Sequence, residues 1–341
     1  MYDELMKRTA IYGSIIAILI ICILGYCINN RNIRGSSITA SKNAEYSSAR
    51  QDIASQNYKE LQMKSATKDV AYLEIPLSAN TTEEQILLKS DYMEHTLHIM
   101  IEGLDENFYE KSMIEGNSAY VDSLSYHYNN RVTELMIHLT DIYEYTAFYK
   151  NNMLYLEFEL PRTRYHQLLV IDAGNQESSD DLTPMIAQKL KDRLAQTEIK
   201  VYDTCMDTEN PSVEKRVAFA NQIKADMLIS IQVRESVETS ENMVQTIYHP
   251  TFFIPYLSSI ELSNIVEREV AKSIGCQGKG LIAAGKQDVI ANRATVPAAM
   301  VELGHVTDRE EAKDTEAYAD KVAEGLYNSI LAAYSMRDSH E

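Results

Sequence analysis

The amino-terminal part of the chain contains a long apolar run without charge. Between Arg8 and Arg31, 22 consecutive residues are uncharged, and residues 11–28 read IYGSIIAILIICILGYCI. A helix of this length crosses the roughly 30 Å of hydrocarbon in a bilayer. The run is longer than the apolar region of a cleaved signal peptide, and no small-residue cleavage site follows it. We therefore expect a transmembrane helix at residues 9–30, after a cytoplasmic tail at residues 1–8.

The residues that follow the predicted helix are polar. Residues 31–68 are rich in serine and lack a sustained apolar pattern, which is typical of a solvated stalk or linker. Lys7 and Arg8 precede the apolar run, and three more basic residues follow it closely. The positive-inside count therefore does not favour an external carboxyl end, although large domains translocate largely regardless of such charges.

Residues 69–162 alternate between apolar and polar positions with a period of two, which predicts a small all-β domain. The alternating segments read VAYLEI, HTLHIMIEG, AYVDSLSY, TELMIHL and MLYLEFEL.

Four histidines in this region raise the question of a metal site: His95, His98, His127 and His138. Strand geometry predicts that His95 and His98 lie on opposite faces, and no cysteine or carboxylate completes a set of ligands. We expect no metal here.

Buried strands and helices alternate from residue 165 to residue 336. The predicted strands read LLVID, EIKVYD, MLISIQ and AAMVEL, and the Thr183–Pro184 and Asn210–Pro211 pairs predict helix starts. This pattern predicts an α/β domain with a mixed, largely buried sheet flanked by helices. In such folds, functional residues collect at the ends of the strands.

Composition narrows the possible functions. The 341 residues include 50 acidic and 32 basic ones, for a formal charge of −18, and no basic stripe is present. We therefore exclude nucleic acid as a partner. Four cysteines are too few for a disulfide framework. Cys205 and Cys276 have no adjacent histidine, so a thiol nucleophile is unsupported; outside the cell they would pair or remain single thiols.

Three strand ends carry a family resemblance. IDAGNQ, ADMLISIQ and PAAMVELG resemble IDPGHGG, ADLFISIH and PAVLVELG of the zinc-dependent N-acetylmuramoyl-L-alanine amidases of bacterial cell walls. RVAFANQIKADMLISI is similar to the RVAIANKAGADLFISI of that family. The resemblance implies an amidase-like domain at residues 165–336. By pattern and position, the domain at residues 69–162 resembles the AMIN targeting domain that often precedes such catalytic domains.

The resemblance also implies a zinc site, from which this chain departs. The family holds zinc with a histidine after the first strand, a glutamate soon after it, and a second histidine after SI. Those positions are Asn175, Ser179 and Gln232 here. In a shortened loop Glu177 could take the acidic position, but no register shift recovers either imidazole. Because neutral amides are poor zinc ligands, we expect these positions to form a degenerate site without metal or other cofactor.

Glu302 matches the catalytic glutamate of the family, which orients or deprotonates the metal-bound water. That role depends on zinc, which lowers the pKa of bound water from about 15.7 to about 7. Without zinc we expect this general base to be non-functional.

Two further features lie near the expected strand ends. Asp172, His249 and His305 offer a conceivable alternative cluster, but neither histidine occupies a ligand position of the family, and polar loop residues are the better interpretation. Residues 249–256 read HPTFFIPY, an aromatic loop framed by two prolines. We expect this loop beside the strand ends, where it would cover or replace the substrate cleft.

These observations favour a single-pass protein of the bacterial cell membrane with its carboxyl-terminal domains on the extracytoplasmic side. It would be a pseudoenzyme that binds peptidoglycan or a muropeptide, or that scaffolds or regulates an envelope protein partner. One alternative is an active amidase with an unorthodox metal set and Glu302 as base. Another is a protein-interaction module without wall affinity, which uses the face of Asn175, Gln232 and Glu302.

Overall fold

The computed structural model describes seven stretches of the chain: residues 32–33, 58–65, 72–174, 182–204, 211–234, 243–304 and 315–339. The predicted transmembrane helix and most of the predicted stalk lie outside them. No helix within these stretches is both long and apolar enough to span a membrane. The chain divides into two compact units, Met1–Glu159 and Leu160–Glu341.

The first unit is a sandwich of two β-sheets. One sheet has the strand order β1-β10-β11-β4-β7-β3, and the other has the order β2-β8-β9-β6-β5. The described strands are β1 Asn32–Ile33, β2 Lys59–Leu61, β3 Lys64–Ser65, β4 Tyr72–Pro76, β5 Ile86–Asp91, β6 Thr96–Glu102, β7 Glu115–Gly116, β8 Val121–Asn129, β9 Val132–Leu139, β10 Glu144–Lys150 and β11 Met153–Glu159. A 3₁₀ helix at Glu83–Gln85 and the short helix α1 at Phe108–Lys111 connect them.

The period-two pattern explains the core of this sandwich. Ile99 on β6 is opposite Leu135 on β9, and both side chains are fully buried. Leu73 on β4 and Leu156 on β11 belong to the same apolar cluster, although they come from the other sheet. Alternate residues of both sheets therefore form one core.

Two of the four histidines of this unit, His98 and His138, have side-chain partners from the protein. His98 Nδ1 lies 2.8 Å from Glu134 Oε1, with both residues buried, and His138 Nδ1 lies 3.0 Å from Thr96 Oγ1. The sequence prediction was wrong in two details. His95 lies before β6, with φ 51°, rather than in the same strand as His98, and the carboxylate of Glu134 stands beside His98. Within the described stretches, no three or more His, Cys, Asp and Glu side chains are grouped to hold a metal ion.

The second unit has a mixed sheet of strand order β13-β12-β14-β17-β15-β16. The first four strands in this order are parallel, whereas β15 runs antiparallel to β17 and β16 parallel to β15. The strands are β12 Leu168–Asp172, β13 Lys200–Asp203, β14 Met227–Arg234, β15 Val244–Tyr248, β16 Leu281–Ala283 and β17 Ala298–Gly304. The described helices are α2 Pro161–Arg164, α3 Thr183–Leu194, α4 Val213–Gln222, α5 Ser259–Ile274, α6 Val289–Arg293 and α7 Thr315–Asp338. The predicted α/β fold with a mixed sheet flanked by helices is confirmed.

Helices cover both faces of this sheet. Helices α3, α5 and α7 pack together on one face, where their apolar residues join Ile171, Ile229 and Val301 in a single core. Helices α4 and α6 cover the other face, where they pack against each other and α6 contacts β17. The rings of Phe219 in α4 and Tyr202 in β13 make an edge-to-face contact. Both faces of the central strands are therefore buried, as their continuous apolar runs predict.

Helices α3 and α4 begin within two residues of the predicted starts, but their caps are not the Thr183 and Asn210 that the pairs would supply. Thr183 is the first residue of α3 rather than its cap, and its hydroxyl donates to the backbone carbonyl of Ala173. Helix α4 is capped by Ser212, whose hydroxyl accepts from the backbone N–H of Lys215 at 3.3 Å. Thr183 therefore ties the start of α3 to the end of β12 instead of capping α3.

The carboxylate of Asp226 connects several elements at the amino ends of strands β12 and β14. Asp226 accepts from the backbone N–H of Leu168 at 2.6 Å, from Arg162 Nη2 at 2.9 Å, and lies 2.7 Å from Arg337 Nη1. It thereby joins the start of β12 to helix α2 and to the end of α7.

Close packing of α5 against α7 requires a glycine. A Cβ on Gly325 would lie 2.6 Å from the Cα of Val270 and 2.9 Å from the carbonyl oxygen of Glu269. We expect Gly325→Ala to lower the free energy of unfolding by about 1–3 kcal/mol, measured by urea titration, because the two helices must separate. Asn328→Ala, on the exposed side of the same helix, should change it by less than about 0.5 kcal/mol. Equal effects of the two substitutions would contradict this account of the packing.

Candidate functional site

Parallel strands bring the predicted site residues to one edge of the second sheet. Asp172, the last residue of β12, is in register with Ser230 of β14, and Gln232 of β14 is in register with Glu302 of β17. Because side chains alternate along a strand, these four residues project from the same face. The intervening residues Ile231 and Val301 belong to the apolar core on the other face.

A buried ion pair lies at the centre of this edge. Asp172 is fully buried and Arg216 of α4 is 2% exposed, and Arg216 Nη1 lies 3.2 Å from Asp172 Oδ1. The hydroxyls of Thr204 and Ser230 donate to the two carboxylate oxygens at 2.5 and 2.7 Å. A buried carboxylate is tolerated only with such partners, so the four residues form one polar unit that joins β12, β14 and α4.

The same arginine fixes the backbone turn after β12. Arg216 Nη1 donates to the carbonyl oxygen of Gly174 at 2.7 Å. Gly174 has φ +68°, and a Cβ there would lie 2.6 Å from the carbonyl oxygen of Ile231. Only glycine fits this close approach, which places Gly174 beside Gln232 of β14.

Glu302 is flanked by an amide side chain on each side. Its register partners are Gln232 on β14 and Gln245 on β15. Glu302 is 8% exposed, and the two glutamines are partly exposed. Sequence reasoning missed Gln245, because it missed β15; the segment VQTIY, which alternates and is β-branched, carried the signal.

The described donors at this edge do not fit zinc. Gln232 and Gln245 offer amide oxygens and Glu302 offers one carboxylate, whereas zinc sites in proteins are built from imidazole, thiolate and carboxylate. Asn175, Ser179 and Glu177 lie outside the described residues, so their part in a degenerate site remains a prediction.

The alternative cluster of Asp172, His249 and His305 is not assembled by the described residues. His249 follows β15, which runs antiparallel, and Tyr248 is in register with Ala299 near the start of β17. The strand of Asp172 is separated from β15 by β14 and β17, a distance of about 14 Å across three strand spacings. Asp172 and His249 therefore cannot share one metal ion. His305 lies outside the described residues.

The aromatic loop was expected at the wrong end of the sheet. It leaves β15 beside the start of β17 and leads to Ser259, whose hydroxyl accepts from the backbone N–H of Ala298 at 3.1 Å. Both ends of the loop thus lie at the opposite edge from Glu302. Phe253 and Tyr256 on this loop are 66% and 54% exposed. The expectation failed because the antiparallel strand β15, which carries the chain to this end of the sheet before the loop begins, was not predicted.

The comparisons with known proteins concern the second unit. A family model described as N-acetylmuramoyl-L-alanine amidase matches residues 171–332. This segment is a domain of that family.

Individual relatives of the amidase-family domain are distant. YqiI, an uncharacterized protein of Bacillus subtilis strain 168, is 22% identical over 166 residues, which cover 47% of this chain and 77% of YqiI. The catalytic domain of the amidase CwlV from Bacillus (Paenibacillus) polymyxa is 21% identical, with a TM-score of 0.43 over 50% of this chain and 99% of that one. An amidase of Clostridium difficile 630 is 24% identical, with a TM-score of 0.42 over 50% and 97%.

Cys276 of the amidase-family domain is poorly suited to nucleophilic chemistry. It follows the end of α5 and is a free thiol, and burial raises its pKa. A raised pKa reduces the thiolate fraction at neutral pH, and the thiolate is the nucleophile. Cys205 lies outside the described residues.

Removal of the buried arginine tests the polar unit of the amidase-family domain. We expect Arg216→Met to lower the free energy of unfolding by about 3–5 kcal/mol in a denaturant titration, because Asp172 would remain buried without a positive partner. Arg268→Met is the matched control, since Arg268 pairs with Glu269 on the surface and is 58% exposed. The control should change stability by less than about 1 kcal/mol. A loss for Arg216→Met as small as that of the control would show that the ion pair does not hold this edge together.

Proposed function

We propose that this protein is a membrane-anchored cell-wall protein whose amidase-family domain binds peptidoglycan without zinc and without hydrolysing it. The predicted transmembrane helix at residues 9–30 would anchor the chain, with both folded units on the extracytoplasmic side. The first unit, a β-sandwich by its strand order, would serve as an AMIN-like wall-targeting module. The proposal combines two observations: residues 171–332 match a family of cell-wall amidases, and the described residues of the site do not fit zinc.

The residue beside Glu302 carries the proposal. By the resemblance, Gln232 corresponds to the second zinc-binding histidine of the family and Glu302 to its catalytic glutamate, and the two residues are in register on neighbouring strands. An amide offers zinc neither charge nor the basicity of imidazole. The chain therefore has Glu302 beside the neutral amide of Gln232 at the place where the resemblance implies a glutamate beside zinc.

The missing imidazole bears directly on catalysis. Zinc would lower the pKa of a bound water by about nine units and polarise the scissile carbonyl. Without zinc, Glu302 would have to activate an ordinary water molecule. Each 1.36 kcal/mol of lost transition-state stabilisation slows a reaction tenfold. Binding needs no such activation, so a wall fragment can be held where it is not cleaved.

Zinc content tests the proposal. Full-length protein dialysed against trace zinc should hold less than about a tenth of an equivalent by elemental analysis, whereas Asn175→His combined with Gln232→His should gain metal, because two imidazoles restore the ligands that the family uses. The matched control is His249→Gln, which removes an imidazole at the opposite edge of the sheet and should leave the metal content unchanged.

Other outcomes of this measurement point to the alternatives. One equivalent of zinc in the unaltered protein, together with cleavage of muropeptides that Glu302→Ala abolishes, would replace the proposal with an active amidase. Absence of zinc together with absence of any affinity for peptidoglycan would replace it with a protein-interaction module.

A further inference from the structure

Strand β16 is an outer strand of the second sheet, and among the described residues only β15 pairs with it. The outer strand on the other side, β13, begins with Lys200 and ends with Asp203, and charged residues at a sheet edge oppose pairing with another chain. By contrast, β16 reads LIA, and Ile282 at its centre is 42% exposed. An apolar strand edge without charge is a template for a further strand.

The hydrogen bonds of β16 show which of its backbone groups face outward. The backbone N–H of Ala284 donates to the carbonyl oxygen of Tyr248 on β15 at 3.0 Å. Along a strand, the backbone groups of successive residues point alternately to its two sides. Ile282 therefore also directs its N–H and C=O towards β15, whereas Leu281 and Ala283 direct theirs towards the open edge.

This pattern of backbone groups is self-complementary. If two β16 strands pair antiparallel about Ile282, Leu281 of each copy lies opposite Ala283 of the other. These residues have outward-facing backbone groups, so each opposite pair exchanges both of its N–H···O bonds. A large side chain then meets a small one, and the two Ile282 residues form the close pair of the ladder, with Cα atoms about 4.5 Å apart.

The aromatic loop adds exposed apolar surface beside this edge. The loop follows Tyr248, which is in register with Ala283 at the end of β16. Phe253 is 66% exposed and Tyr256 is 54% exposed. Tyr256 has φ 73°, a conformation that is costly for a bulky residue and that recurs where strain serves binding. Grouped exposed apolar side chains of this kind mark interaction surfaces.

The local charge at this edge permits a second copy to approach, although the chain carries a formal charge of −18. Residues 276–287 contain no acidic residue, and Lys279 and Lys286, both exposed, flank β16. Antiparallel pairing brings Lys286 of one copy towards the segment before β16 in the other. Glu267 lies in that region, because its carboxylate is where a Cβ on Gly278 would stand. Opposite charges therefore meet at both ends of the paired strands.

We propose that two copies of this chain associate through antiparallel pairing of their β16 strands about a two-fold axis. The two six-stranded sheets join into one continuous sheet, and the aromatic loops flank the new pair of strands. A short strand and one loop make a small interface, so the dimer is of the weak, reversible class. The inference goes beyond the proposed function and does not depend on it.

Disulfide trapping tests the pairing, since it captures weak dimers. In full-length protein in detergent, with the four native cysteines replaced by alanine, Ile282→Cys should form about tenfold more intermolecular disulfide than Leu331→Cys, because Cα atoms about 4.5 Å apart suit a disulfide. Leu331 on α7 is the matched control, being 37% exposed. This control also accounts for association through any other part of the chain.

Mixed variants test the register. Leu281→Cys protein mixed with Ala283→Cys protein should form the mixed disulfide in preference to either self-pair. The two different positions lie opposite each other, at about 5.5 Å between Cα atoms, whereas identical positions are diagonal neighbours about 7–8 Å apart. Preferential self-pairing at 281 or at 283 would contradict the proposed register and overturn the inference.

A measurement without cross-linking gives an independent readout. Ile282→Asp should raise the dimer Kd by about tenfold or more in sedimentation equilibrium, because two like charges would face each other across the strands. Leu331→Asp is the control and should leave the Kd unchanged. Both variants should unfold at temperatures close to that of the unaltered protein, because both side chains are partly exposed.

The outcomes are separate from those of the proposed function. Equal trapping at positions 282 and 331 would overturn the dimer, whether or not the protein binds peptidoglycan. Trapping at position 282 in a protein that lacks affinity for peptidoglycan would support the dimer and overturn the proposed function. An unchanged Kd for Ile282→Asp would overturn the inference even if position 282 cross-links.

Discussion

The buried ion pair between Asp172 and Arg216 is the interaction on which the candidate site depends. It joins the end of the first strand of the amidase-family domain to helix α4, and through Ser230 it reaches the neighbouring strand. The same guanidinium holds the carbonyl of Gly174, which lies beside Gln232. An unpaired charge in this position would be strongly destabilising, so the pair fixes which conformation the strand ends adopt. Under the proposed function, the site keeps its shape without the chemistry of the family, because the shape depends on the ion pair and its hydrogen bonds.

Strand direction determines what the edge of the sheet presents. Parallel strands β12, β14 and β17 end together and collect polar side chains, and antiparallel β15 begins at that same edge. Gln245 is therefore brought beside Glu302, while the aromatic loop that follows β15 is carried to the far edge. One reversal of direction thus adds a neighbour to the site and removes the loop that the sequence suggested as a cover for it.

Much of this arrangement follows from the sequence because it depends on local patterns. Alternation in the first unit is read directly from segments such as TELMIHL. The uninterrupted apolar strands of the second unit are read from LLVID and AAMVEL. Strand order and direction are set by contacts distant in sequence, which explains the misplaced aromatic loop. Strand β15 was missed although its alternating segment VQTIY carried a local signal. The helix caps failed for a different reason. Thr183 and Ser212 have similar hydroxyl chemistry, but Thr183 is drawn to the carbonyl of Ala173 by tertiary packing, and no local rule predicts that choice. The resemblance located Gln232 and Glu302, and only the register revealed that Gln245 lies beside Glu302.

The central claim is that the amidase-family domain holds cell-wall material without metal. The most direct test is cosedimentation of the full-length protein with purified peptidoglycan in excess chelator, with Glu302→Gln and Arg268→Met compared in parallel. The account predicts that the protein sediments with the wall to the same extent with and without chelator, that Arg268→Met behaves like the unaltered protein, and that Glu302→Gln stays in solution to a greater extent. Sedimentation that chelator abolishes and added zinc restores would contradict the claim, because binding would then depend on the metal that this site is inferred to have lost.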